Sequence, residues 1–338
     1  AKNFRNEIIK KSNLPVIKQS VNLELTNHEL PKFFYDSTPC PYRQKGGSVE
    51  AEKLLQSFLN KRGENYQFEM SSPITAEKSC SRLSTHLTYG TISHRAVFQE
   101  ATKKRDQIKH TNKNFAKSIN SFLSRLHWRS HFIQKLEDQP SIEHTSFIPV
   151  YDQIREKDEE KLEAWIEGKT GVHFIDACMI YLRNYGWINF RMRAMLASFA
   201  SYNLWLDWRY FAPRLAALFT DFEPGIHYSQ IQMQSGTTGI NTIRMYNPYK
   251  QAMDQDPLAK FIKSQIPKVK NFPPAFFHNP PKKSLNVNLF DNEFQKEIIN
   301  VKETAQYARK KIFDIRKSQE HKILAKNVYL KHGSRGRS

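Results

Sequence analysis

The sequence predicts a mainly α-helical fold, and three observations support this class. Apolar residues recur at helical spacing through several long segments. No alternation of apolar and polar residues is long enough to build a sheet. Glycine is scarce, with 12 glycines among 338 residues, which suits helices because glycine weakens a helix interior.

The N-terminal part predicts an extension followed by a helix. Residues 1–45 are polar and contain several prolines, so we expect an extended or loosely packed N-terminal extension. An apolar stripe over residues 48–61 predicts the first helix, with Ser48 as its N-cap and Gly63 just beyond its end.

The middle of the chain predicts further helices. One begins near Ser93, and another covers residues 114–137, where apolar side chains recur at helical spacing. Residues 138–158 predict a loop, and the pattern from there to Phe219 is helical almost throughout. Residues 221–250 predict an irregular polar loop, which is a common location for function.

The C-terminal residues 271–338 predict a separate region. A proline-rich spacer over residues 272–281 comes first, followed by a charged helix over residues 293–323 and a basic tail. Residues 46–270 are therefore expected to form the main helical domain.

The charge balance predicts a polyanionic partner. The chain has 52 Lys and Arg against 33 Asp and Glu, a net charge of +19. Residues 309–338 hold ten basic and two acidic residues, or +8, so +11 remains in the rest of the chain. Nucleic acid is the first candidate partner. A basic proteome or a charged tail is the alternative, and the tail alone does not account for the balance.

Several classes of protein and site are excluded. The three cysteines lie far apart without a CxxC spacing, which excludes a disulfide framework and an all-cysteine zinc site. Gly168-Lys169-Thr170 lacks the earlier glycine of a nucleotide-triphosphate loop, and His127 with His131 lacks the glutamate of a zinc metalloprotease, so we expect no metal. Without a membrane-spanning run or a signal peptide, a soluble cytoplasmic protein is expected.

Two arginines begin an otherwise apolar, tryptophan-rich segment over residues 187–208. A buried helix pair with an aromatic core is one interpretation of the segment. Arg191 and Arg193, if buried, need an anion, which is either a carboxylate or a phosphate-bearing cofactor. The available carboxylates are Asp207, Asp221 and Glu223.

A series of motifs resembles one known family. In chain order over roughly residues 45–270 they are Gly46-Gly47, Ser81-Arg82-Leu83-Ser84, Trp128-Arg129, Gly168-Lys169-Thr170-Gly171, Asp176-Ala177-Cys178-Met179, Gly186-Trp187, Arg191-Met192-Arg193, Ala197-Ser198-Phe199, Leu206-Asp207-Trp208-Arg209 and Arg244-Met245-Tyr246-Asn247-Pro248. Their order and spacing are similar to those of the FAD-binding domain of the DNA photolyase/cryptochrome family. The resemblance implies an all-α fold that holds FAD in a U-shaped conformation.

The resemblance also implies roles for individual residues. Hydroxyl and backbone N–H groups of the 80–84 loop would meet the FAD phosphates, Arg129 would neutralise phosphate charge, and Arg193 would pair with Asp221 beside the flavin. Tyr66, or Phe68 in the other loop register, would line the cofactor. The implied FAD-binding set is Tyr66, Cys80 (where the family usually has Thr), Ser81, Leu83, Ser84, Arg129, Arg193, Asp221, Glu223 and His227.

The chain departs from the family pattern near the flavin. His227 replaces the family Asn nearest flavin N5, where an imidazole would donate a proton or hold the flavin anion by a hydrogen bond. Ile231 replaces the inner Trp of the photoreduction chain, whereas Trp208, the middle member, is kept. We therefore expect either slow photoreduction or another electron route, through Trp208 with Trp205 or through a tyrosine.

Lesion contacts also depart from the pattern. Arg125 stands where cyclobutane-dimer photolyases have an acid, Met233 replaces a lesion-stacking Trp, and Ala194 replaces a contacting Met. Trp128 remains as an aromatic platform for a base. Arg125, Trp128, Met233 and Ala194 are the expected DNA and lesion contacts.

The expected function is light-driven repair of UV pyrimidine lesions by electron transfer from excited reduced FAD. Single-stranded DNA is favoured because it avoids the cost of unpairing. A cryptochrome-like blue-light photoreceptor that binds FAD without repair is the alternative, and a nucleic-acid-binding protein without photochemistry is a third possibility. The family's N-terminal antenna domain has no counterpart in this sequence, which is therefore either a naturally short member or a fragment of a longer protein. No antenna chromophore is expected, and a monomer is expected.

Overall fold

The computed structural model describes residues 39–279 and 296–333, and these ranges fold into helices joined by loops and short helical turns. The extended residues within them form one isolated bridge, between Glu156 and Leu206. The all-α prediction is therefore confirmed. The α-helices of the described ranges are α1 (Ser48–Ser57), α2 (Tyr66–Glu69), α3 (Pro73–Ser79), α4 (Ser84–Thr88), α5 (His94–Ile108), α6 (Lys113–Asp138), α7 (Glu159–Ile166), α8 (His173–Tyr185), α9 (Phe190–Ser198), α10 (Trp208–Ala217), α11 (Pro224–Ser235), α12 (Pro248–Gln255), α13 (Lys260–Gln265), α14 (Pro274–Phe277), α15 (Val301–Lys317) and α16 (Gln319–His332).

The two predicted helix starts that involve a serine cap have different outcomes. The prediction of an N-cap at Ser48 is wrong, because Gly47 occupies the cap position of α1 with φ 98° and no side chain caps that helix. The predicted start at Ser93 is confirmed, since the Ser93 Oγ accepts a hydrogen bond from the backbone N–H of Ala96. Helix α6 matches the predicted long helix to within one residue at each end.

Helix α11 contradicts the predicted irregular loop over residues 221–250. Most of its side chains are buried, polar ones included, so it shows no apolar stripe. Gln232 illustrates the reason, because its side chain donates to the carbonyl of Ile142 and accepts from the N–H of Phe147, at 2.8 and 2.7 Å. Hydrogen bonds of this kind bury polar side chains that sequence periodicity assigns to solvent.

A glycine brings the backbones of α6 and α11 into direct contact. A Cβ atom added to Gly225 would lie 2.7 Å from the Cα of Ile133 and 3.1 Å from the carbonyl oxygen of Phe132. Only a residue without a side chain allows this approach.

The segment Gly168-Lys169-Thr170, which resembles part of a phosphate-binding loop, binds a carboxylate of the protein itself. The buried Asp176 carboxylate accepts from the Thr170 N–H, the Thr170 hydroxyl and the Gly171 N–H, at 2.9, 2.6 and 2.9 Å. These donors are therefore occupied by a protein carboxylate.

Apolar side chains form three clusters in the described ranges. The largest contains Trp208 and much of α8 to α13, the second joins α1, α5 and α6, and the third lies between Tyr202 and α15. Cys80 packs against both the first and the second cluster. The loop that follows α3 therefore lies where these two clusters meet.

The predicted charged helix near the C-terminus is two helices. Ser318 separates α15 from α16, and its hydroxyl accepts from the N–H of His321, which caps α16. Most of the predicted N-terminal extension, part of the proline-rich spacer and the end of the basic tail lie outside the described residues.

Candidate cofactor and nucleic-acid site

A bidentate ion pair links α9 to the loop before α11. The guanidinium nitrogens of Arg193 donate to the two carboxylate oxygens of Asp221 at 3.0 and 2.8 Å. The Asp221 side chain is 3% exposed, against 26% for Arg193. Burial alone would raise the pKa of the Asp221 carboxyl, but the charge and hydrogen bonds of Arg193, with a hydrogen bond from Ser84, lower it below its usual value. Asp221 is therefore an ionised, fixed carboxylate.

A second ion pair holds the same loop from α6. The Arg129 guanidinium donates to Glu223 at 3.1 Å and to the Leu87 carbonyl at 3.3 Å. Because Glu223 lies two residues after Asp221, this loop is fixed by two ion pairs, one from α6 and one from α9. The structure thus contains the expected Arg193–Asp221 pair, and it adds a pair between Arg129 and Glu223 that the sequence did not predict.

Arg62 binds the backbone of the loop between α3 and α4. Arg62 donates to the carbonyls of Cys80 and Ser81, at 2.7 and 3.3 Å, and the Ser81 Oγ accepts from the N–H of Leu83 at 3.4 Å. Arg82 has φ 62°, a strained left-handed conformation for a residue with a side chain. Burial raises the pKa of the Cys80 thiol to about 12, so this group stays protonated.

Two features of the 80–84 loop extend the sequence prediction. The Ser84 hydroxyl lies within hydrogen-bonding reach of Asp221, which joins this loop to the first ion pair. Arg82, which the motif contains but which received no role, lies 3.8 Å above the Trp187 ring, and its Nη1 is buried without a hydrogen-bond partner. Its φ angle and its unpaired nitrogen are visible only in three dimensions.

Tyr66 and Phe68 differ in burial. Tyr66 is buried and packs edge-on against Phe58 at 5.6 Å between ring centroids. Phe68 is 68% exposed. Of the two, Tyr66 therefore belongs to the interior, in the cluster that also contains Leu83.

His227 is buried on α11 and has one fixed hydrogen bond. Its Nε2 lies 2.9 Å from the Ala212 carbonyl, which only accepts, so Nε2 carries the proton. Burial lowers the pKa of the imidazole to about 4. His227 is therefore neutral near pH 7, and its Nδ1 is an acceptor. This favours acceptance of a hydrogen bond over the expected donation of a proton.

The aromatic side chains beside His227 favour one of the two expected electron routes. The Tyr228 ring lies 5.2 Å from the His227 ring and 6.3 Å from that of Trp208, whose indole N–H donates to the Ser146 hydroxyl at 2.9 Å. Trp205 packs instead against Tyr307 in the third cluster. The tyrosine alternative, through Tyr228, thus has ring contacts that a Trp208–Trp205 route does not share.

The expected DNA contacts differ in accessibility. Trp128 is 39% exposed and its ring is stacked on that of Phe132, with centroids 5.6 Å apart. Arg125 is exposed one turn earlier on the same face of α6, and Met233 is half-buried. Ala194 is 2% exposed, so its expected contact with a lesion is not supported by its position.

The donor set fits an anionic cofactor. Hydroxyls of Ser81 and Ser84 and the guanidinium groups of Arg129 and Arg193 lie around one loop pair, and Arg82 adds a buried nitrogen without a partner. Hydroxyls, backbone N–H groups and arginines are the groups that bind phosphates in proteins.

The described ranges lack two kinds of feature, a metal-binding cluster and a membrane-spanning helix. No group of three or more His, Cys, Asp and Glu side chains lies close enough there to hold a metal ion. Among the helices of those ranges, none combines the length and apolar character needed to cross a membrane.

Comparison with known proteins gives one consistent result. A family model described as the FAD-binding domain of DNA photolyase matches residues 122–321. A deoxyribodipyrimidine photo-lyase of Streptomyces griseus is 29% identical over 241 residues, which cover 71% of this chain and 50% of the relative. The chain spans about half the length of the curated relatives that it matches.

Solved structures agree with the helical architecture. A Synechocystis cryptochrome superimposes with a TM-score of 0.72 at 21% identity, over 83% of this chain and 58% of the other, which shows a shared fold. An archaeal photolyase from Sulfolobus tokodaii, solved with two FAD molecules, gives a TM-score of 0.63 at 29% identity over 80% of this chain and 57% of the other.

Proposed function

The chain belongs to the DNA photolyase/cryptochrome family and binds FAD, and on this premise we propose that it is a deoxyribodipyrimidine photo-lyase. Its reaction is the light-driven splitting of UV-induced pyrimidine lesions in DNA. The observation that carries the proposal is that an exposed aromatic ring lies next to the ion pairs assigned to the cofactor. Trp128, which is open to a base, adjoins Arg129, whose partner Glu223 lies two residues from the Arg193–Asp221 pair.

The residues around the two ion pairs hold the cofactor in this proposal. Ser81 donates a hydroxyl hydrogen bond to the phosphates and Ser84 a backbone N–H, since the Ser84 hydroxyl is used by Asp221. Arg193, fixed by Asp221, supplies a positive charge beside the ring system. Bound FAD supplies the blue-light absorption and the transferable electron. His227 accepts a hydrogen bond through Nδ1, because its Nε2–H is already used by the Ala212 carbonyl.

The exposed face of α6 binds the nucleic acid. Trp128 stacks on an unpaired base, and Arg125 pairs with a phosphate or with an acceptor edge of the lesion. A buried cofactor requires the lesion to leave the base stack, and single-stranded DNA avoids the cost of unpairing. The preferred substrate is therefore a lesion in single-stranded DNA, and the net charge of +19 favours its binding.

A second function, a blue-light photoreceptor that binds FAD without repair, has its own support. Arg125 and Met233 occupy the positions of lesion contacts in the related photolyases, and Ala194 is buried. These substitutions remove the usual contacts to a cyclobutane dimer and leave the ion pairs around the cofactor unchanged.

A repair assay separates the two functions. Reduced, FAD-loaded protein is incubated with single-stranded oligonucleotides that carry either a cyclobutane dimer or a (6-4) photoproduct, under blue light and in the dark. Light-dependent loss of either lesion supports the photolyase and names its substrate. No loss of either lesion, with FAD bound and reduced, contradicts it and supports the photoreceptor.

The proposal includes a monomer that works in the cytoplasm. Trp128 and Arg125 are exposed on one helix of a single chain, so this chain can bind one strand without a second copy. Light scattering of the purified protein and fractionation of cells that express it check these two points.

A further inference from the structure

A cavity of about 480 Å³ lies outside the residues assigned to FAD and DNA. It is formed by α3, the end of α8 and α13, together with Tyr42, and none of the expected cofactor or lesion residues lines it. Its volume is within the range of pockets that bind small molecules, about 300–1,000 Å³.

One wall of the cavity is a stack of three tyrosines. The ring of Tyr185 lies 4.9 Å from that of Tyr42 and 4.2 Å from that of Tyr181, and the second pair is almost parallel at 13°. The stack runs from Tyr42, which is 60% exposed, to Tyr181, which is 3% exposed. Neighbouring rings cover the faces inside the stack, so the exposed Tyr42 ring is the aromatic surface that is open to a planar ligand.

The inner end of the stack has a buried phenol. The phenolic oxygen of Tyr181 makes no hydrogen bond of good geometry, and the side chains of Glu77 and Arg82 lie within reach of it. Burial raises the pKa of this phenol, so it remains an O–H donor. A ligand atom that accepts from it would compete with the Glu77 carboxylate for this donor.

Polar side chains of both charges complete the lining. Glu77 offers a carboxylate acceptor and Asn184 an amide at the cavity wall. Lys260 is exposed at the first residue of α13, directly after Ala259, which has φ 53°. A left-handed alanine is strained, and such strain is found where a segment is held for function.

We propose that this cavity binds a nucleotide, with its base on the tyrosine wall and its phosphate on Lys260. A nucleobase has the planar ring and the donor and acceptor edges that the tyrosines, Glu77 and Asn184 complement, and the ammonium group of Lys260 complements a phosphate. The nucleotide is either a free molecule or one unit of a nucleic acid strand. This site is separate from the proposed repair reaction and does not depend on it.

Equilibrium dialysis of the FAD-loaded protein tests the proposal with AMP, adenosine, inorganic phosphate and the oligonucleotide (dA)6. Loading with FAD prevents AMP from occupying the cofactor site. Saturable binding of AMP or of (dA)6 is expected, and the stronger of the two identifies the free or the strand-bound source. Adenosine is expected to bind about tenfold more weakly than AMP, because it lacks the charge that Lys260 contacts.

Three variants locate the binding. Tyr42→Leu and Lys260→Ala, both at exposed positions that leave the core intact, are each expected to weaken AMP or (dA)6 binding by about tenfold. Lys263→Ala, on the same helix but outside the cavity lining, is the matched control and is expected to change it by less than about twofold. Absence of saturable binding by both AMP and (dA)6 overturns the proposal, as does binding that neither cavity variant weakens.

Discussion

Arg193 and Asp221 form two parallel hydrogen bonds between α9 and the loop before α11. The Arg193 guanidinium also lies 4.2 Å above the Phe219 ring, and its Nε donates to the Ile188 carbonyl at 2.7 Å. The arginine is therefore held on three sides before any cofactor binds. Such preorganisation allows the cation to stabilise negative charge without reorganising.

The first prediction concerns this pair. Asp221→Asn keeps the volume but removes the charge, which leaves Arg193 without its anion, and loss of one partner of a buried pair costs about 3 kcal/mol or more. We expect a lower free energy of unfolding and a lower FAD content, measured by urea denaturation and flavin absorbance. The control is Asp254→Asn, which breaks the exposed Lys250–Asp254 pair and is expected to cost less than about 1 kcal/mol. Equal effects of the two variants would contradict the prediction.

The second prediction concerns pH. The pKa of His227 is lowered to about 4 in the folded protein, against about 6.5 in the unfolded chain. Between these values the unfolded state binds more protons, so stability decreases as pH falls from 6.5 to 4 by up to about 1.4 kcal/mol per pH unit for this group. His227→Gln is expected to reduce the slope of unfolding free energy against pH, whereas the exposed His144→Gln is not. An unchanged slope in His227→Gln would show that the imidazole is not buried as described.

The third prediction concerns Trp128. If its ring stacks on an unpaired base, Trp128→Ala weakens binding of single-stranded DNA by about 1–3 kcal/mol, or roughly tenfold or more. FAD content is expected to stay the same. Phe313→Ala, which removes another exposed aromatic ring, is the control and is expected to leave DNA affinity unchanged. Fluorescence anisotropy with a labelled oligonucleotide measures both variants.

The fourth prediction concerns the phosphate contacts. Affinity for single-stranded DNA is expected to fall steeply with salt, with each phosphate contact adding about 0.7 to the slope of log affinity against log salt. Arg125→Gln, if Arg125 binds a phosphate, reduces the slope by about 0.7. A slope near zero in the wild-type protein would contradict DNA binding through a basic face.

The fifth prediction concerns the aromatic contacts beside His227. Tyr228→Leu removes the ring between His227 and Trp208, and it is expected to slow the blue-light reduction of bound FAD. Trp205→Phe is expected to leave the rate unchanged, because Trp205 packs against Tyr307 in another cluster. Flavin absorbance during illumination measures both, and the reverse order of effects would favour a route through Trp205.

The sequence predicts correctly those helices that bury one face and expose the other to solvent. Helix α6 shows its apolar stripe in the sequence because one face is buried and the other is solvated. Helix α11 was missed because Gln232 and His227 are buried by hydrogen bonds with backbone groups. Its ends nevertheless carry local signals, Pro224 in the first turn and Gly236 in the left-handed conformation beyond the last.

The site was predictable at the level of motifs and less so at the level of atoms. The resemblance indicated that Arg193 pairs with Asp221, and the structure has this pair. It did not indicate the tautomer of His227, which depends on the Ala212 carbonyl fifteen residues earlier. The contact of Tyr228 with Trp208 likewise depends on how α10 and α11 pack, which the sequence pattern does not encode.

The backbone contact at Gly225 has a consequence for the relative motion of α6 and α11. Since Gly225 lies against Ile133 without an intervening side chain, α11 cannot slide along α6 as two helices separated by flexible side chains can. Trp128 lies on α6 five residues before Ile133, and His227 lies on α11 two residues after Gly225. The backbone that carries Trp128 and the backbone that carries His227 are therefore held at a fixed separation by a contact that no side-chain rotation can loosen.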